Sequence, residues 1–258
     1  MGETRSEQAP ERGADGRLEV GGLLRRTSLL RGAPDEAIEA LASAARVRFL
    51  SHGERLWETG DSALGLMVIH RGLVKVVRLL PNARAAIIGL FGPGESVGDV
   101  AVVRATRYPA AAVVCTATAV VVALSGRVLL DQMGQWPLLA TGVSQAIAER
   151  VDTFHRKIDI LSAGNVEARL ATLLLDLAER FGDELVDDTL VVPLALARQD
   201  LADLVSTSLE TAIRLMSRWH KTGVVETRSD AFVLRDVSLL RHAAGNVSGS
   251  RAPRDVSR

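Results

Sequence analysis

Residues 197–223, ARQDLADLVSTSLETAIRLMSRWHKTG, constrain the fold more than any other stretch of this chain. Leu201, Leu204 and Val205 recur at helical spacing, and Ala202 is small where a second helix could cross closely. Ser206-Thr207-Ser208 supplies turn chemistry, and Ile213, Leu215, Met216 and Trp219 give the next segment a core side. Two short helices around a tight turn predict a helix-turn-helix, whose second helix, about 209–220, would enter the major groove. Glu210 and Arg214 are four residues apart and share a face, with Arg218 roughly another turn along it. An arginine there can fork onto guanine O6 and N7, and a glutamate can accept from cytosine N4. The same residues also admit a purely local use. Thr207 with Glu210 forms a capping box, and Glu210 with Arg214 an exposed i,i+4 ion pair.

Charge does not advertise a nucleic-acid binder, since 31 Lys/Arg balance 31 Asp/Glu. Within 165–236, eight basic residues face thirteen acidic ones. The positive charge is concentrated instead: Arg214, Arg218 and Lys221 stand with Glu210 in the second helix, and patches rather than totals set phosphate affinity. The 258 residues, 47% of them hydrophobic, suffice for one large domain or two smaller ones, each with its own core. No apolar run of about 18 residues exists, which argues against a membrane span. The charged N-terminal segment has no apolar secretion core, so a cytoplasmic location is expected. A lone cysteine, Cys115, makes neither an internal disulfide nor a multi-cysteine metal site. No paired nucleophile and base, metal-ligand spacing or phosphate-cradling loop stands out, so no enzymatic activity is expected.

Along the chain, residues 1–20 are polar and predict a disordered arm. Short helical pieces fit 23–45, with Pro34-Asp35-Glu36 as a helix start. From 46 to about 124, β-prone runs such as 66–70, 73–79, 86–90 and 111–124 alternate with turns at Gly53, Gly60-Asp61, Gly72, Pro81-Asn82 and Gly92-Pro93-Gly94. That spacing predicts a β-roll or barrel within a domain of residues 21–127. A long helical pattern spans 128–164 with a break near Pro137. In it Ile147, Val151, Phe154, Ile158 and Leu161 are spaced four, three, four and three, an a/d seam over two heptads. A parallel dimer helix is one use of that seam, and packing on the chain's own domain is the other. After a hinge at Ser162-Ala163-Gly164-Asn165 come an amphipathic helix over 166–181, an acidic loop over 182–189, a strand over 190–194 and the helix-turn-helix. Strand, turn and strand across 224–234 supply a wing, giving a third domain of residues 165–240 and a mobile tail over 241–258.

In this order the parts resemble the CRP/FNR family of bacterial transcription factors, named for the cyclic-AMP receptor and the fumarate-nitrate regulator. The residues that carry the resemblance are Gly60-Asp61, His70-Arg71-Gly72-Leu73-Val74-Lys75, Gly92-Pro93-Gly94-Glu95-Ser96-Val97-Gly98-Asp99, Arg198-Gln199-Asp200-Leu201-Ala202 and Ser208-Leu209-Glu210-Thr211-Ala212-Ile213-Arg214. It implies an α+β chain: a cyclic-nucleotide-binding-like β-roll, a long dimerisation helix and a C-terminal winged helix-turn-helix. It further implies a homodimer whose partners are double-stranded DNA and RNA polymerase. By resemblance, Glu210 and Arg214 read the G·C pairs of a TGA-containing half-site, while Arg198, Gln199, Ser208 and Thr211 hold phosphates. Leu209 and Ile213 are also assigned to DNA binding, and Leu209 stands where cyclic-AMP receptors carry an arginine.

The effector region departs from the family pattern. Gly98-Asp99 keeps the start of the nucleotide motif, but the phosphate clamp, Arg-Ser in cyclic-AMP receptors, is Pro109-Ala110. Proline has neither cation nor N–H, and alanine has no hydroxyl. The base-contacting Thr-Ser of the family is Phe154-His155. Cyclic AMP is therefore not the expected effector, though Arg104 and Arg107 could meet a phosphate in another way. An iron–sulfur cluster needs about four cysteines and is excluded within one chain. Cys115, within the apolar run 113–124, suits a buried small hydrophobe. His52, His70 and His155 are isolated candidates for haem or pH contacts. A sensor of another small molecule, with DNA binding secondary, is the competing function.

Overall fold

The computed structural model describes residues 19–79, 85–184 and 189–245. Most of the N-terminal arm, the Pro81-Asn82 turn, part of the acidic loop and most of the C-terminal tail lie outside the described residues. The chain divides into two compact units, one up to Thr153 and the other from Phe154, and the division falls inside the longest helix.

The first unit opens with helices α1 (Val20–Arg25) and α2 (Asp35–Ser43). Two four-stranded antiparallel sheets follow. Strands β1 (Arg46–Ser51), β8 (Thr118–Ser125), β3 (Gly65–Arg71) and β6 (Ser96–Val97) lie side by side in one. Strands β2 (Arg55–Trp57), β7 (Ala111–Val114), β4 (Val74–Leu79) and β5 (Ala85–Phe91) form the other. Alternation explains how β3 and β8 bury both faces. Met67, Ile69, Ala119 and Val121 enter the core shared by the two sheets. Leu66, Val68, Val122 and Leu124 meet Leu24, Leu29, Leu41, Leu129 and Leu139 from the helical segments outside.

Helix α3 (Asp99–Val103) interrupts the strands, and α4 (Gly126–Gln135) and α5 (Pro137–Ser162) follow them. Trp136 is extended, as the residue before a proline must be, and Pro137 opens α5 where its missing N–H is not needed. The 111–124 run expected as one strand is two. Thr116 Oγ1 accepts from Leu73 N at 3.0 Å and donates to Thr118 O at 2.8 Å, stabilising the bend by which the chain passes from one sheet to the other inside an apolar stretch that contains no Gly or Pro.

In the second unit α6 (Val166–Phe181) is capped by Asn165, whose side chain accepts from Ala168 N at 3.0 Å. Strands β9 (Asp183–Glu184) and β10 (Leu190–Val192) precede α7 (Arg198–Leu204) and α8 (Leu209–Lys221). Strands β11 (Val225–Thr227) and β12 (Phe232–Leu234) form the hairpin, and α9 (Val237–Ala243) closes the unit. The sheet order is β11-β12-β10-β9. Leu170, Leu174, Leu177, Leu201, Met216, Trp219, Phe232 and Leu240 are all buried.

Candidate nucleic-acid interface

The turn between α7 and α8 depends on Ser206, which holds a left-handed φ of 53°, and on Thr207 N donating to Ala202 O at 2.9 Å. The helix start differs from the sequence expectation. Ser208, not Thr207, is the cap: its Oγ accepts from Thr211 N at 3.3 Å, and its hydroxyl donates to Thr211 Oγ1 at 3.2 Å. Glu210 therefore sits in the first turn, where hydrogen bonds from its own amide and from Ser208 hold its carboxyl below the usual range.

Helical spacing sorts the rest of α8. Ala212, Leu215, Met216 and Trp219 are buried, while Leu209, Glu210, Ile213 and Arg214 are exposed. Ile213, expected on the core side as well as at DNA, lies on the open face, because it is about 100° round the helix from Ala212. Arg214 makes no ion pair among the described residues, so the local Glu210–Arg214 pair is not formed. Arg218 is exposed too, about 40° round the helix from Arg214, but it is not free. It pairs with Glu167 in the first turn of α6.

The phosphate candidates of α7 are placed by neighbours. Arg198 is half-buried and its Nη2 donates to Thr227 Oγ1 on β11 at 2.8 Å; burial lowers its pKa. Gln199 is exposed, with Nε2 donating to Asp203 Oδ1 at 2.8 Å. Sequence reasoning missed the wing cluster. Glu226 accepts from Arg228 Nε at 2.9 Å and from Arg235 Nε at 3.1 Å, and these two guanidiniums pull its carboxyl down to about 2. It also missed Lys157, whose ammonium donates to Leu204 O at the C-terminus of α7. Neither link has a local pattern, because the partners are distant in sequence or split between strands.

On α5, Val151, Phe154, Ile158 and Leu161 are 39–58% exposed, so these four positions of the seam form an open apolar stripe. Ile147 instead packs partly buried against the first unit's core. His155 is exposed on the same helix.

In the first unit the structure brings the two ends of the degenerate clamp together through aromatic rings. Trp57 and Tyr108 stack at 4.1 Å, and both abut Gly98, whose φ is 88°. Trp57 Nε1 donates to Ala110 O at 2.9 Å, and the Tyr108 hydroxyl donates to Gly65 O. Asp99 is 2% exposed, accepts from Ser96 Oγ at 2.7 Å and pairs with Arg150 of α5. Pro109 follows Tyr108 directly and offers no donor. Cys115 is buried with its thiol 3.4 Å from Leu73 O, and burial lowers the His70 pKa. Among the described residues no group of three or more His, Cys, Asp or Glu is placed to hold a metal ion, and no helix is long and apolar enough to cross a membrane.

Comparison with known proteins fits both units. Residues 47–135 match the family model of the cyclic nucleotide-binding domain, and residues 168–243 match that of the Crp-like helix-turn-helix domain. Electron transport regulator A of Shewanella oneidensis is 24% identical over 206 residues, covering 80% of this chain and 81% of that protein. The CRP-like cAMP-activated global transcriptional regulator of Mycobacterium tuberculosis is 23% identical over 222 residues, covering 86% of this chain and 98% of that one. The structure of FixK2 from Bradyrhizobium japonicum superposes with a TM-score of 0.66 at 20% identity, covering 80% of this chain and 99% of that chain. At that identity the likeness is one of fold.

Proposed function

The chain belongs to the CRP/FNR family of transcription regulators, and on that footing we propose that it is a cytoplasmic homodimer reading a palindromic site with TGA-like half-sites, without control by cyclic AMP. The observation that carries the DNA reading is the open face of α8. Glu210 and Arg214 are exposed there, and Arg214 is committed to no ion pair among the described residues. A guanidinium already held by a carboxylate would have to give up that partner before forking onto guanine, and Arg214 does not. The exposed stripe of Val151, Phe154, Ile158 and Leu161 supports a two-fold pairing through α5. Two recognition helices so related read half-sites about one helical turn apart. Regulation without cyclic AMP is supported by Pro109-Ala110, which offers a cyclic phosphate neither cation nor hydroxyl, and by the rings packed beside Gly98.

Selection of bound sequences from a random DNA pool by the whole chain, with and without cell metabolites, tests this reading. Paired half-sites containing a fixed G·C pair should be enriched, and Arg214→Ala should lose about 1–3 kcal/mol of discrimination at that pair. An Arg214→Ala chain with unchanged sequence preference would overturn the assignment. Calorimetry showing micromolar or tighter cyclic-AMP binding would overturn the second part.

A further inference from the structure

A buried polar cluster of the first unit lies where α5 crosses the corner formed by β6 and the start of α3. One guanidinium nitrogen, Arg150 Nη2, donates to the Ser96 carbonyl, to Ser96 Oγ at 2.9 Å and to the Asp99 carboxylate. The Arg150 guanidinium also sits 4.9 Å from the centre of the Phe91 ring. Side-chain exposures of 14% and 2% for Arg150 and Asp99 make this an ion pair removed from water. Such a pair holds only when its hydrogen bonds are satisfied, and breaking it leaves a buried charge behind. Its two halves are 51 residues apart, on the sheet corner and on the long helix. An acidic group that merely needed neutralising could have taken a cation from its own loop. This one ties the helix to the roll.

We propose that Arg150 is a resident effector: its guanidinium, docked on Ser96 and Asp99, holds the long helix in the DNA-competent setting that other regulators reach by binding a soluble ligand. The proposal rests on the DNA-reading role above. The surroundings are closed to an anionic ligand by the same residues. The Arg150 cation is already taken by Asp99, Pro109 and Ala110 offer the ligand no side-chain donor, and the Trp57–Tyr108 stack packs against Gly98. Rotation of α5 about its axis must pull Arg150 out of this corner, so the pair opposes any other setting of the helix. Further along α5 lies the exposed stripe of Val151, Phe154, Ile158 and Leu161. Fixing the rotation at Arg150 fixes the direction in which that helix presents its apolar residues to a second copy.

Fluorescence anisotropy on the selected operator tests this with the full chain, using Arg150→Ala, Arg150→Lys and Asp99→Asn. Wild type should bind with no added small molecule, and adding cyclic AMP should not tighten it. Arg150→Ala and Asp99→Asn should each weaken binding about tenfold or more, a coupling of the usual allosteric size. Arg150→Lys should fall between, because it keeps the charge and loses the fork. Methylguanidinium at millimolar concentration should restore most of the affinity of Arg150→Ala and none in the Arg150→Ala, Asp99→Asn double variant. A loss caused only by damaged packing would not be rescued this way. Operator binding equal to wild type in both single variants, or a folded Arg150→Ala chain that methylguanidinium does not rescue, overturns the proposal. If Arg150→Ala does not fold, Asp99→Asn and Arg150→Lys carry the test. A wild-type chain that selects no operator refutes the DNA-reading role instead, so the two failures are distinct.

Discussion

Replacing Lys157 by Met should abolish an alkaline gain in the stability of the second unit. Lys157 sits on α5 with its ammonium on Leu204 O, one of the carbonyls left open at the C-terminus of α7. That end of a helix favours a cation, and Asp203 lies close enough to help. Burial opposes both and prevails, so the amine falls from its ordinary 10.5 to about 8. Between those values the unfolded chain binds the proton and the folded chain does not, so stability rises with pH across the window. The gain is complete above about 10.5 and is lost as pH falls through about 8. A shift of that size has a ceiling of about 3.4 kcal/mol. The side chain is only partly buried, and solvent screening brings the expected gain to about 1.5–2 kcal/mol. Urea unfolding at a series of pH values, followed through the buried Trp219, measures it; Trp57 and Trp136 replaced by Phe leave that probe alone. The same rise in Lys157→Met as in the parent, or no rise in the parent, would refute the reasoning.

Two further substitutions test the local geometry. Ser206→Gly removes the left-handed cost of a residue at φ 53° against the added freedom of the unfolded chain, and should raise stability by a few tenths to about 1 kcal/mol in urea unfolding. Gly98→Ala places a methyl 3.1 Å from both Trp57 and Tyr108 at φ 88°, and should cost about 2–3 kcal/mol, read as a lowered Tm of the first unit. A neutral result at Gly98 would mean that the aromatic stack yields, and with it the closure of the clamp region.

The sequence already showed whatever is set by local pattern. Helix α6 runs over 166–181 because Asn165 caps it and Leu170, Leu173, Leu174 and Leu177 hold one face. The break at Trp136-Pro137 and the hairpin after Gly223 follow from proline and turn chemistry in the same way. What escaped has a physical reason in each case. Helix α3 is five residues long, too short to show a helical period. The bend at Thr116 is held by a hydroxyl, not by Gly or Pro, so the 111–124 run looked continuous. Thr207 and Ser208 are both sound caps, and only the backbone decides between them. The links Arg150–Asp99, Lys157–Leu204 and Arg218–Glu167 depend on how helices are rotated against their neighbours, which no single segment encodes.

Those links also decide how salt should act on DNA binding. Of the eight basic residues within 165–236, Arg180 pairs with Asp176, Arg218 with Glu167, and Arg228 and Arg235 with Glu226. Arg169 has its Nε buried. Arg198, Arg214 and Lys221 are left outside any ion pair among the described residues. A cation already paired within the protein releases little when it meets a phosphate, because one anion replaces another. Three available cations in each protomer of the proposed dimer then set a slope of log Kobs against log salt no steeper than about −5. Recruiting Arg218, Arg228 and Arg235 as well would steepen it to about −11. Anisotropy titrations between about 50 and 200 mM salt separate these values readily. A slope near the steeper figure would show that the wing arginines abandon Glu226 for the backbone, so that phosphate contacts rather than Glu210 and Arg214 dominate the affinity. The shallow slope is expected, because in an acidic unit whose arginines are mostly engaged, binding has to come from base contacts repeated across a two-fold axis.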